Sequence, residues 1–232
     1  MSLFVGLSLA EIGLWIIYIS IPILILYIIY LILTKAFRYM GFSSVEAIVI
    51  VFVSFLFRFN IYVFGVNISN IYIFSYNNWV VGINMGGAII PILLSIYLFF
   101  KKKLDWKKLL ISIFLVSIIT YLITMPDPSK GIVAKVPFAF IPAIAASVIS
   151  VVFLYKDFKK AAPFAYISGT IGVLIGADVF HLYELLSHPI DTQINAVIGG
   201  ANVFDMVFIT GIIAVVVDGI ILFRQRLKQG IE

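Results

Sequence analysis

The chain has 232 residues, of which 63% are hydrophobic and 12% charged, with a mean hydropathy of +1.17 and a formal charge of +5. A soluble globular domain carries about 45–50% apolar and about 25% charged residues. Half the usual charge therefore excludes disordered, collagen-like and ordinary cytosolic readings, and leaves a polytopic helical membrane protein. Cysteine is absent, which removes disulfides, thiolate metal sites and thiol nucleophiles.

At about 20 residues per crossing the chain accommodates roughly six to eight spans within a single membrane domain, 1–232. Its first residues lack a basic leader and Glu11 interrupts them early, so they read as the start of a first span rather than a cleaved segment. That span runs from Glu11 to Lys35, and Ser44–Leu56 is the second, with Ser44 and Glu46 placed as helix-start residues. Val80–Phe100, Leu109–Met125 and Val136–Tyr155 follow, then Ala161–Leu186 and Val203–Phe223. Pro126 and Pro128 close the fourth span, and Pro163 fits the opening turn of the sixth. The expected fold is all-α, with about seven transmembrane helices.

The basic residues give an orientation. Thirteen of the 16 follow spans one, three, five or seven; Arg58, Lys130 and Lys135 lie on the other side. The positive-inside rule places the N-terminus outside and the C-terminus in the cytoplasm, as expected of a multi-pass protein of the cell membrane. Basic residues scattered in this way are topology signals, so the lipid bilayer is the expected partner and nucleic acid is not.

Residues 60–78, rich in β-branched and aromatic side chains around Asn67-Ile68-Ser69-Asn70, have the composition of a β-hairpin with its turn at 67–70. Such a segment rests in the interface, or offers a strand edge to an extended peptide.

Ionisable residues inside spans are costly and therefore suggest function. Glu11, Asp178, Asp205 and Asp218 qualify. Glu11 is near the outer end of its span, and Asp218 lies six residues before Arg224, within reach of a basic terminus or interfacial water. Asp178 and Asp205 enter adjacent antiparallel helices from the same side, which places two carboxylates at similar depth. Gly169, Gly172 and Gly176 form a small-residue stripe beside Asp178. Asn84, Gly86 and Gly87 open span three on that side, Asn202 precedes Asp205 by one turn, and His181 follows Asp178 by one turn. The outer thirds of spans three, six and seven thus build either one polar, glycine-rich pocket or a satisfied network that fixes helix packing.

The segments INMGGAIIPILLSIYLF (83–99), APFAYISGTIGVLIGAD (162–178) and IGGANVFDMVFITGIIAVV (198–216) resemble a family of prokaryotic multi-pass membrane proteins defined as a domain of unknown function. The resemblance covers most of the chain and implies membrane class and a shared acid pair, but no activity. A weaker similarity is to the presenilin and preflagellin-peptidase class of intramembrane aspartyl proteases, which place one aspartate in each of two helices. Gly176-Ala177-Asp178 matches part of their Gly-x-Gly-Asp motif, Phe204-Asp205 replaces Tyr-Asp, and Pro142-Ala143-Ile144 echoes their proline element.

Two activities compete on these residues. An aspartyl protease acting on a membrane-protein or peptide substrate uses Asp178 and Asp205 as a dyad sharing one proton, and this reading leads narrowly. A proton- or cation-coupled transporter, or a small channel, uses Asn84, Asp178, Asn202 and Asp205 as ligands or proton carriers, with Gly86-Gly87 and Gly199-Gly200 as helix breaks. Asp178 with His181 is a weak metal signature, and no metal is expected. No phosphate loop or dinucleotide fingerprint is present, so no cofactor is expected either. A structural subunit of a membrane complex is the remaining alternative.

Overall fold

The computed structural model describes residues 9–129, 131–135, 137–155, 157–200 and 206–229. The chain is mostly helical, and four of its described helices are long and apolar enough to cross a membrane. Helix α1 (Leu9–Met40) leads into α2 (Ser44–Leu56), followed by strands β1 (Tyr62–Val63), β2 (Val66–Asn67), β3 (Asn70–Tyr76) and β4 (Trp79–Asn84). A π-helical turn, Met85–Ile89, opens α3 (Ile90–Lys102), and α4 (Trp106–Ile123) returns to β5 (Thr124–Asp127) and β6 (Gly131–Ala134). Helices α5 (Ile141–Leu154) and α6 (Phe158–Val173) come next. A second π-helical turn, Leu174–Val179, joins α6 to α7 (Phe180–Ser187); β7 (Ile194–Ile198) and α8 (Met206–Gln229) complete the order.

Local chemistry sets the boundaries. Before α2, the Ser43 hydroxyl accepts the Glu46 N–H at 3.2 Å and the Glu46 carboxylate accepts the Ser43 N–H at 2.7 Å. This capping box satisfies two donors that a helix start leaves bare. The cap is therefore Ser43 rather than Ser44, whose hydroxyl accepts from Arg38 at 3.0 Å. Asp105 caps α4 by accepting from the N–H groups of Lys107 and Lys108. Pro163 falls inside α6 instead of at its opening turn, because that helix begins earlier, at Phe158.

The strands gather at one end of the bundle. β3 and β4 are antiparallel, joined at Asn77-Asn78, whose φ values of 45° and 65° are those of a two-residue type I′ turn. β7 adds to β4 in parallel, Trp79 facing Ile194 and Ile83 facing Ile198, so the order is β3-β4-β7. β1–β2 and β5–β6 are separate two-stranded ladders. Two expectations change here. The segment 60–78 is not one hairpin turning at 67–70, since its longer strand pairs onward with β4. Val80–Asn84 is strand instead of the start of a span. Asn67 caps a local turn, its side-chain oxygen accepting from the N–H groups of Ser69 and Asn70.

Among the hydrophobic clusters of the described residues, two join the helices to one another and to the sheet. The larger joins the last turns of α1 to α2, α3, α6 and α8 through Phe37, Met40, Leu98, Phe164, Tyr166 and Val215, all essentially inaccessible. The smaller lies between the sheet and α7, where Trp79 and Val81 meet Leu185, Leu186 and Ala196. Glycines bring helices close: a Cβ at Gly169 would touch Ala146 of α5 and Ala214 of α8, and Gly172 and Gly176 lie against α4. By contrast, nearly every side chain of α1 from Leu14 to Ile32 is exposed, as befits a helix apolar on all sides, and Pro22 interrupts its hydrogen bonding.

Candidate functional site

The site begins where β4 becomes α3. Asn84 ends the strand in extended conformation and is almost fully buried. Its side-chain oxygen accepts the Gly87 N–H at 2.7 Å, and its amide donates to the Ser69 carbonyl at 3.2 Å and to the Asn70 side chain at 2.8 Å. Asn84 therefore caps the π-helical turn and ties it to β3. That turn carries Gly86 and Gly87. A Cβ on Gly86 would collide with the Ser54 carbonyl of α2, and one on Gly87 with the Gly199 carbonyl. Only glycine lets three backbones approach here.

Asp178 reaches the same point from the other side. It lies in the second π-helical turn and is half-buried, and its carboxylate accepts the Gly199 N–H at 2.6 Å. Gly199 and Gly200 have φ values of 82° and 59°, the left-handed region that favours glycine. Gly199 is thus gripped twice, by Asp178 through its N–H and by the bare backbone of Gly87 against its carbonyl. The apolar floor is Ala88, Val173, Leu174, Ala177 and Val207. Of the residues picked out by sequence, Asn84, Gly86, Gly87 and Asp178 come together around Gly199. Asn202 and Asp205 lie outside the described residues.

His181 sits one turn beyond Asp178 and engages a different set of partners. Its ring is buried, stacks on Tyr121 of α4 at 4.4 Å, and places Nε2 3.2 Å from the Tyr121 carbonyl and Nδ1 3.0 Å from the Glu184 carboxyl. A carbonyl and a carboxylate both accept, so a hydrogen on either ring nitrogen has a partner to receive it. Tyr121 and Glu184 escape a search of the sequence: neither has a motif, and Tyr121 acts through its backbone and ring face. Among the described residues, no three of His, Asp or Glu converge in the manner of a metal site.

The remaining acids separate cleanly. Glu11 is exposed near the start of α1, beside Leu14, Trp15 and Tyr18. Asp218 is fully buried in α8, and neither of its oxygens has a hydrogen-bond partner among the described residues. The hydroxyls of Tyr166 and Thr170 are also buried without a partner among them. These interior groups carry no spacing signal, because a hydroxyl in an apolar run is indistinguishable from a packing residue until the helices are assembled.

Comparison with known proteins adds a family and no activity. No curated protein and no solved structure matches the chain. The model described as "Protein of unknown function (DUF1614)" matches residues 45–217, about three quarters of the length, and spans every described residue of the site. The chain is a member of that DUF1614 family.

Proposed function

We propose that the chain is a proton- or cation-coupled membrane transporter whose outer site is the junction at Gly199. One observation carries this reading: two π-helical turns, one opening α3 and one joining α6 to α7, meet at Gly199, whose N–H the Asp178 carboxylate accepts. π-turns cluster at functional sites, and transporters place acids at breaks in helices because loosened backbone there can exchange partners. Asp178 would load and release the coupling ion as its bond to Gly199 forms and breaks. Asn84, Gly86 and Gly87 hold the opposing wall, and Asn202 and Asp205 supply further oxygens.

The test is flux in vesicles containing the purified protein and a pH-sensitive dye. With imposed proton, sodium or potassium gradients, the wild type moves ions faster than empty vesicles, whereas Asp178→Asn falls to the empty-vesicle rate. Undiminished flux in that variant would exclude the site.

Seven crossings with the N-terminus outside complete the proposal, in the cell membrane. Beyond the four long helices, α2, the 138–154 segment and α8 are apolar. The distribution of basic residues supports the orientation, with the strand end outside.

A second reading, an intramembrane aspartyl protease with Asp178 and Asp205 as its dyad, has one observation in its favour. β3 is the outermost strand of its sheet and exposes both faces, a geometry that receives an extended peptide. Its test is cleavage of reconstituted single-span substrates: Asp178→Ala and Asp205→Ala each abolish product, and persistence of product in the double variant rejects the dyad.

A further inference from the structure

Asp218 stands in the middle of α8 with no exposed surface, and neither oxygen has a hydrogen-bond partner among the described residues. Ser150 of α5 faces it, but the Ser150 hydroxyl donates to the Ala161 carbonyl of α6 at 2.8 Å. A hydroxyl has one hydrogen to give, so Ser150 has none left for the acid and offers only its lone pairs. Val151 and Ala161, the residues next to Ser150 in sequence and in its hydrogen bond, pack with Leu154 and Ile221 in an apolar cluster.

Among the described side chains, the charged groups on the packed elements are exposed or engaged elsewhere. On α1, Tyr39 lies against Gly219, Arg38 is turned to Ser44, and Lys35 is exposed. At the first turn of α6, Lys160 pairs with Asp157 at 3.2 Å and Lys159 is exposed. Tyr155 closes α5. An ionised carboxylate without donor or cation in such surroundings is prohibitively costly, whereas a carboxylic acid is not, and its O–H matches the lone pair that Ser150 offers.

We infer that Asp218 and Ser150 form a proton-binding site inside the helix bundle, the acid holding the proton and donating it to the serine oxygen. The site lies near Ala161, which is separated from Asp178 by about 25 Å along α6 and its continuation at 1.5 Å per residue. Between them in height, the hydroxyls of Tyr166 and Thr170 adjoin each other, and Gly211 of α8 lies against both residues. Service as an inner station of transport rests on the reading above; occupancy by a proton does not.

The test uses the full-length protein in lipid vesicles at neutral pH and the apolar reagent dicyclohexylcarbodiimide. The reagent adds a protonated carboxyl across one of its C=N bonds, and an oxygen-to-nitrogen acyl shift leaves a stable N-acylurea with no leaving group. Peptide mass spectrometry is expected to find the adduct on Asp218, and Asp218→Asn to lack it. Infrared spectra of the unmodified wild type supply a measure independent of any variant: a carboxylic C=O band that shifts in heavy water. Absence of both adduct and band means an ionised, paired Asp218 and overturns the inference. An adduct on a protein that moves no ions sustains this site and removes the transport reading instead.

Discussion

Trp79→Ala is expected to destabilise the protein by about 3–5 kcal/mol, the range for removing a large aromatic from a well-packed interior. Trp79 is among the largest fully buried side chains, packed in the core that joins the sheet to α7. Its indole N–H donates to the His188 carbonyl at 3.1 Å, tying β4 to the chain that leaves α7. Truncation opens a cavity and also leaves that carbonyl without its partner. Because β4 carries Asn84 at its far end, the loss extends to the cap of the π-helical turn. Thermal unfolding in detergent measures the change, and Trp79→Phe should recover most of it while still lacking the hydrogen bond. A melting temperature unchanged in Trp79→Ala would mean that the sheet does not support the bundle.

Gly199→Ala, compared with Gly65→Ala, isolates the close approach at the site. Both glycines have nearly the same backbone, with φ of 82° and 81°. A methyl group at either position pays about 1–2 kcal/mol of left-handed strain. At Gly65 the new Cβ meets nothing within 4 Å, but at Gly199 it would run into the Cβ and N–H of Ala88. Overpacking of that kind adds about 1–3 kcal/mol. The expected result is a total cost near 2–5 kcal/mol at Gly199, loss of its bond to Asp178, and only the strain at Gly65. Equal melting temperatures for the two variants would show that the backbone at Gly199 yields easily, and that the junction is not rigid.

The legibility of the sequence differs from element to element for physical reasons. Ser44–Leu56 has the same limits in sequence and structure because its start is chemically marked, even though the cap is the neighbouring serine. Charges bracket the turn between α3 and α4, but both helices run into the charged stretch, α3 to Lys102 and α4 from Trp106 behind its Asp105 cap. Val80–Asn84 misleads because Val-Val-Gly-Ile is apolar enough for a helix, whereas β3 on one side and β7, more than a hundred residues later, on the other make it the central strand of a sheet. β5, β6 and β7 are too short to display a period. The glycines of the site were visible as a type, and the small-residue stripe on α6 packs as its spacing suggests. That Gly87 faces Gly199 depends on two π-helical turns, and no local pattern announces them. Asp218 was placed within reach of a basic terminus by its distance from Arg224 along the chain, yet the side chain turns into the α5–α6 seam.

Helix α1 has a consequence for the membrane itself. Its apolar stretch, Gly13–Met40, is about 42 Å long at 1.5 Å per residue, against a hydrocarbon layer about 30 Å thick. Only its final turns are gripped, by Ala36, Phe37 and Met40 in the core. Neighbouring helices therefore do not dictate its inclination over most of its length. The excess must be absorbed by leaning, by bending at Pro22, or by gathering longer-chained lipids around it. The last turns of α1, at Ala36, Phe37 and Met40, are therefore where its inclination in the bilayer is set against the core.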